Sequence, residues 1–358
     1  MKSILVTLVS IFIAGLIFTG CASEELTSAR LYIQQKNWEK AEEFLIKAMA
    51  VEPENPEIPY LLGNLIYAKK ENWDKMNEMF DKALSIDPDK VILQGATVQT
   101  YVEQSMEKNW TVVYNKAISD FNSYRKLGEA DGQDALNNAI AQLEIAIQIN
   151  PKDSRSFTIL STCYFEKGDK DVTISMIKKA VEMAPEDFDS NLTAGQILGN
   201  YQDYNGALPY FKKAVELNPT DAKVIRHLAQ AYYEIGEKEN SIETYQTAIR
   251  NENDKKVKAD LYFNLGVLYM QVDDFMAAED NFYAAYDMNP DDVEALVGMA
   301  QTFEGVEKWR RAEKFYKELI MLDSNNPDHY KGMARVLIHQ ERMEEAQHYY
   351  DKSKRVGN

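Results

Sequence analysis

Phe211-Lys212-Lys213-Ala214-Val215-Glu216-Leu217-Asn218-Pro219 is the stretch that decides the fold. The same pattern returns as Phe80-Asp81-Lys82-Ala83-Leu84-Ser85-Ile86-Asp87-Pro88 and as Phe282-Tyr283-Ala284-Ala285-Tyr286-Asp287-Met288-Asn289-Pro290. Apolar residues three and four apart trace one face of a helix. The Asn-Pro or Asp-Pro ending stops that helix, because the residue before proline avoids the helical region. Working outward, Pro151, Pro185 and Pro219 are spaced at a period of 34 residues. A fixed period of this size is the mark of stacked helical repeats, none of which buries its apolar face alone.

The upstream half of each block supplies a partner helix. Tyr262, Leu265, Gly266, Tyr269, Phe275, Ala278, Phe282, Ala285 and Pro290 resemble the full tetratricopeptide repeat (TPR) pattern. Phe157, Leu160, Tyr164, Gly168, Ala180 and Pro185 resemble it in a second copy. The resemblance implies an all-α, right-handed superhelical TPR solenoid of about nine helix-turn-helix units. Copies are read at 22–55, 57–90, 110–153, 154–187, 188–221, 222–258, 259–292, 293–326 and 327–358. Small residues such as Gly195, Ala207 and Ala214 let paired helices approach, and Tyr232 and Phe211 fill the space between turns. Aspartates such as Asp153 and Asp221 cap the following helix.

Three departures interrupt the period. Residues 91–109 are helical by pattern and fuse with, or precede, the helix starting near Trp110. Gly128-Glu129-Ala130-Asp131-Gly132 lengthens the turn of the third copy. The sixth copy has three extra residues and Asn253 in place of proline. The organisation expected is a leader at 1–20, an N-terminal repeat block at 21–90, an irregular helical insertion with a degenerate repeat at 91–153, and a regular array at 154–358.

The leader reads as a secretory segment: Lys2 is the sole charge before Glu24, and an apolar run extends from Ile4 to Phe18. Ile17-Phe18-Thr19-Gly20-Cys21 resembles a bacterial lipobox. That resemblance implies cleavage before Cys21 and lipidation of its thiol and new amine. It further implies an outer-membrane lipoprotein of a Gram-negative bacterium, facing the periplasm. An uncleaved anchor and an ordinary signal peptide are the alternatives. Helix signals resume at Ser23 with no flexible tether.

The net charge of −17 disfavours a nucleic-acid binder, since phosphate contacts need clustered cations. Two cysteines supply neither a disulfide framework nor a four-thiolate zinc site. The 4 histidines form no His-Glu-x-x-His, and no phosphate-binding glycine loop or nucleophile elbow occurs. Cys163 reads as a buried structural thiol. The expectation is therefore a non-enzyme without cofactor, metal or small-molecule substrate.

What remains is the concave surface that the first helix of each TPR copy lines. Positions 2, 5, 6, 9, 12 and 13 of a copy point inward. They nominate Arg155, Phe165, Gln196, Lys223, Arg226, His227, Gln230, Tyr233, Phe263, Asn264 and Met270 as a partner-binding groove. Aromatic, arginine and amide side chains of this kind suit peptide recognition. The function expected is a lipid-anchored scaffold or adaptor for a protein partner in envelope or cell-wall machinery. The competing expectation is a periplasmic assembly chaperone or a pilotin for secretion or pilus subunits.

Overall fold

The computed structural model describes residues 22–93, 95–289 and 293–356. Cys21 and the leader lie outside the described residues. Eighteen α-helices and one small hairpin are present among the described residues. The chain divides between Lys167 and Gly168 into two units. The helix at 154–167, which the sequence reading counts with the regular array, is thereby grouped with the N-terminal unit.

The first unit opens with α1 (Glu24–Gln34) and α2 (Trp38–Val51). The Ser23 side chain caps α1 by accepting from Leu26 N–H, and the Ser23 N–H donates to Glu52 Oε1 at 2.6 Å. Next come α3 (Glu57–Leu61), which runs on as a π-helical stretch at Leu62–Tyr67, and α4 (Trp73–Ile86). Residues 91–97 correct the helical expectation. Val91–Ile92 (β1) pairs antiparallel with Ala96–Thr97 (β2), and Gly95 with φ +99° makes the turn between them. Val91 and Ile92 on one side of the glycine and Thr97 on the other are β-branched, which suits a tight hairpin better than a helix.

From Val98 the chain forms one helix of 30 residues, α5 (Val98–Leu127). Its first half packs on the earlier repeats: the Tyr60 and Tyr101 rings lie 5.5 Å apart, and the Tyr60 hydroxyl is 3.3 Å from Ser105 Oγ. Its second half pairs with α6 (Gln133–Ile149), and Trp110 Nε1 donates to Ser156 Oγ of α7 (Ser154–Lys167) at 2.8 Å. The fusion read as one option for 91–127 therefore begins at Val98. Gly128, at φ +81°, ends α5 where the long turn was expected. Cys163 is buried in α7, and that burial pushes its thiol up to about 12.

The second unit contains α8 (Lys170–Met183), α9 (Phe188–Asn200), α10 (Tyr204–Leu217), α11 (Ala222–Glu234), α12 (Lys238–Asn251), α13 (Lys255–Gln271), α14 (Phe275–Met288), α15 (Glu294–Gly305), α16 (Trp309–Leu322), α17 (Pro327–His339) and α18 (Met343–Val356). Asp169, Asp187, Asp203, Asp221, Asp254 and Asp274 each accept a backbone N–H at a helix start. Such a cap contributes about 1 kcal/mol. The phenylalanines of the repeating stretch meet glycines of the partner helix. A Cβ on Gly195 would lie 2.5 Å from the Phe211 ring, and one on Gly266 would lie 2.7 Å from Phe282. The large-over-small order seen in the sequence is thus a contact that closes these helix pairs.

Near the C-terminus, Glu313 is buried on α16. Its carboxylate accepts from Lys317 Nζ at 2.6 Å, Gln340 Nε2 at 3.0 Å and Arg342 Nη1 at 2.8 Å. Burial pushes this carboxyl up, but the three hydrogen bonds outweigh it and hold the group below the usual carboxylate range. The cluster ties α16 to the turn between α17 and α18.

Candidate functional site

In the second unit α9, α11 and α13 are the first helices of consecutive pairs, and α11 touches both α9 and α13. Val224, Ile225 and Leu228 of α11 are buried against the second helices. The opposite side of α11 therefore presents Lys223, Arg226, His227 and Gln230. Lys223, Arg226 and Gln230 are exposed there, and His227 is half-buried.

His227 holds the floor of this surface. Its ring stacks on Phe211 of α10, with centroids 5.5 Å apart and planes 5° from parallel. Its Nε2 lies 3.1 Å from Gln196 Nε2 on α9. Burial, then the Arg226 and Lys223 charges, hold the imidazole below the ordinary histidine range. Neither Lys223 nor Arg226 has an ion-pair partner within 4.0 Å among the described residues.

On α13, Asn264 is half-buried and donates from Nδ2 to the Asp260 carbonyl at 2.8 Å, and Val267 next to it is exposed. Gln230 donates to Glu234 one turn along α11. Gln196, Gln230 and Asn264 thus supply one amide each from α9, α11 and α13, and Gln196 is the one that meets the imidazole. The bonds of Gln230 and Asn264 are local ones, each within one turn of its own helix, of a kind that exchanges readily for the backbone groups of an incoming chain.

Several nominated residues sit elsewhere. Met270 is buried, at 9% exposure, in the core formed by Phe282, Leu296 and Met299, so it does not line an open groove. Phe263 is half-buried against the same core, its ring 5.5 Å from that of Phe282. Tyr233 is half-buried beside the cluster of Ile225, Leu261 and Leu265, with Lys238 Nζ 5.8 Å from its ring centroid. Position 12 of a copy therefore meets the neighbouring helices rather than the open side.

Arg155 and Phe165 belong to the first unit. Arg155 is exposed but committed: its Nη2 lies 2.6 Å from Asp153 and 3.5 Å from Glu107, and its guanidinium stands 4.0 Å over Trp110. Phe165 is half-buried in the last turn of α7.

One group escaped the sequence reading. Lys255, Lys256 and Lys258 form the first turn of α13, which starts before the expected copy boundary. The signal was the lengthened sixth copy itself, which has three lysines in the four positions that follow Asn253 and the capping Asp254. Among the described residues no three His, Cys, Asp or Glu side chains gather as metal ligands, and no helix is long and apolar enough to cross a membrane.

Comparison with known proteins agrees with the helix-pair geometry. Models described as tetratricopeptide repeat match residues 28–57, 154–187, 201–268 and 259–292. The chain carries tetratricopeptide repeats. Among curated proteins it is similar to "BBSome complex member BBS4" of Bos taurus, at 23% identity over 297 residues, 73% of this chain and 55% of that one. It is also similar to "Protein unc-45 homolog B" of Xenopus laevis, at 27% over 106 residues, 30% of this chain and 11% of that one. The chain thus spans about half the length of the first relative and about a tenth of the second. Among solved structures, that of PilW, described as a widely conserved type IV pilus biogenesis factor, aligns with a TM-score of 0.42 at 16% identity, over 55% of this chain and 90% of that one.

Proposed function

We propose that this TPR protein is a non-catalytic interaction scaffold, held at the outer membrane by lipid on Cys21, that grips a segment of a partner protein in the periplasm. The observation that carries the reading is the open face of α9, α11 and α13. There His227 is pinned by Phe211 and Gln196, Gln230 and the uncommitted charges of Lys223 and Arg226 share its face of α11, and Asn264 stands on α13. Tetratricopeptide folding uses the other faces of these helices. Polar groups that order the surface without closing it suit an extended chain, whose backbone they can pair. The anchor rests on the leader pattern Ile17–Cys21 and on the helix that resumes at once after it.

The same amides favour a second reading, an assembly chaperone or pilotin, because backbone-directed bonds tolerate many client sequences. A photo-crosslinking residue at Gln230, compared in intact cells with one at exposed Asp280 on α14, tests both. One or two partners crosslinked from position 230 alone support the scaffold, and a broad set of weak clients supports the chaperone. Equal crosslinking from both positions removes the groove from either.

A further inference from the structure

We infer that the first turns of α11 and α13 form a cationic wall that docks an acidic stretch of the partner, a proposal that rests on the groove reading above. α13 has 17 residues, whereas α9, α11 and α17 have 13 each and α15 has 12. The addition is the turn Lys255-Lys256-Val257-Lys258. Val257 packs on the cluster of Ile225, Leu261 and Leu265, and Ala222 at the start of α11 packs on the same cluster. The two first turns are therefore anchored in one apolar cluster, on helices that touch. They present Lys223 from one helix, with Arg226 opening its second turn, and Lys255, Lys256 and Lys258 from the other.

These five cations are badly placed for folding alone. A helix N-terminus carries positive partial charge, so cations in the first turn are disfavoured there. Like charges one turn apart, such as Lys255 and Lys258, repel. No acidic residue lies in either first turn, whereas α9, α15 and α17 have Asp189, Glu294 and Asp328 there. The capping carboxylates of Asp221 and Asp254 are spent on backbone N–H groups of residues 223, 224, 256 and 257. None of the five cations has an ion-pair partner within 4.0 Å among the described residues. Asp260 shares the α13 stripe and leaves the cations in excess. All this occurs in a chain of net charge −17.

An anionic occupant would remove both penalties at once. The Lys256, Asp260 and Asn264 positions follow one face of α13, and Lys223, His227 and Gln230 follow one face of α11. A polypeptide lying along them would set its carboxylates at the lysines and its backbone at the amides. A flat anionic membrane meets the repulsion of the whole acidic body instead.

The test uses detergent-solubilised full-length protein and fluorescein-labelled hexaglutamate, read by anisotropy at low salt. Lys255→Glu/Lys256→Glu/Lys258→Glu should weaken hexaglutamate binding at least tenfold while raising the melting temperature, because acids replace cations at a helix N-terminus. Lys223→Gln/Arg226→Gln should weaken binding without lowering the melting temperature by more than a degree or two. Unchanged binding in both variants overturns the wall. If position 230 still crosslinks its partner in those variants, the groove reading survives that failure. Co-sedimentation with phosphatidylglycerol vesicles that is lost in the variants, with no hexaglutamate binding, would overturn the acidic-segment assignment in favour of lipid.

Discussion

Phe263 occupies the space that Gly298 leaves: a Cβ on Gly298 would stand 2.6 Å from the ring. A bulky residue on α13 and a glycine on α15 thus form one contact between successive repeats. Gly298→Ala should therefore cost about 1–3 kcal/mol in thermal or denaturant unfolding, as overpacking does. Gly305→Ala on the same helix, where nothing lies within 4 Å, should instead add about 0.4–1 kcal/mol by restricting the unfolded chain. Equal shifts for the two would contradict the contact.

Glu313 is a sharper test of the C-terminal packing. Glu313→Gln keeps the shape but removes the charge that three donors share, one of which it can no longer satisfy. A loss of about 1–3 kcal/mol is expected for a buried, charge-assisted set. Glu345 is exposed and paired to Arg342, so Glu345→Gln should shift unfolding far less than Glu313→Gln does. Chemical denaturation of both variants separates the two cases.

His227 sets a pH window. Its value in the folded protein lies below that in the unfolded chain, so the unfolded chain takes up the proton first as pH falls through about 6.5. Stability should decline between pH 7.5 and 5.5 on this account and level off below the folded value. His227→Gln should flatten that part of the profile. The depressed carboxyls of Glu52, Glu304 and Glu313 act lower, and their contribution is lost only as pH falls below about 4.5. A melting series across pH 4 to 8 resolves the two windows.

The anchor has its own readout. Cys21→Ser should release the protein from the membrane fraction. A variant that resists an alkaline wash would point to an uncleaved leader instead.

The period and the register were legible because several copies repeat one local contact within a helix pair, Phe80 on Gly63, Phe211 on Gly195 and Phe282 on Gly266. The cap at Asp221 was legible for the same reason: it accepts from the N–H groups two and three residues ahead. The groove was less so. Whether Phe263 is open or packed depends on Gly298, a residue of the next copy, and Met270 is closed over by Leu296 and Met299 in the same way. A position rule drawn from one copy lacks that information. The α13 lysines were missed because they precede the boundary that the period imposes, and their meaning lies in unpaired charge rather than in pattern.

The 30-residue helix α5 changes how the first unit responds to force. At 1.5 Å per residue it is about 45 Å long, roughly twice the length of its neighbours. Solenoids ordinarily behave as springs, because each repeat can rotate slightly on the next. Here one unbroken rod is bolted to Tyr60 and Met76 on one side and to Ser156 on the other. The joint that would flex between those repeats is spanned by continuous backbone hydrogen bonds. Tension entering at the N-terminal end is therefore transmitted through α5 as displacement, with little absorbed as bending.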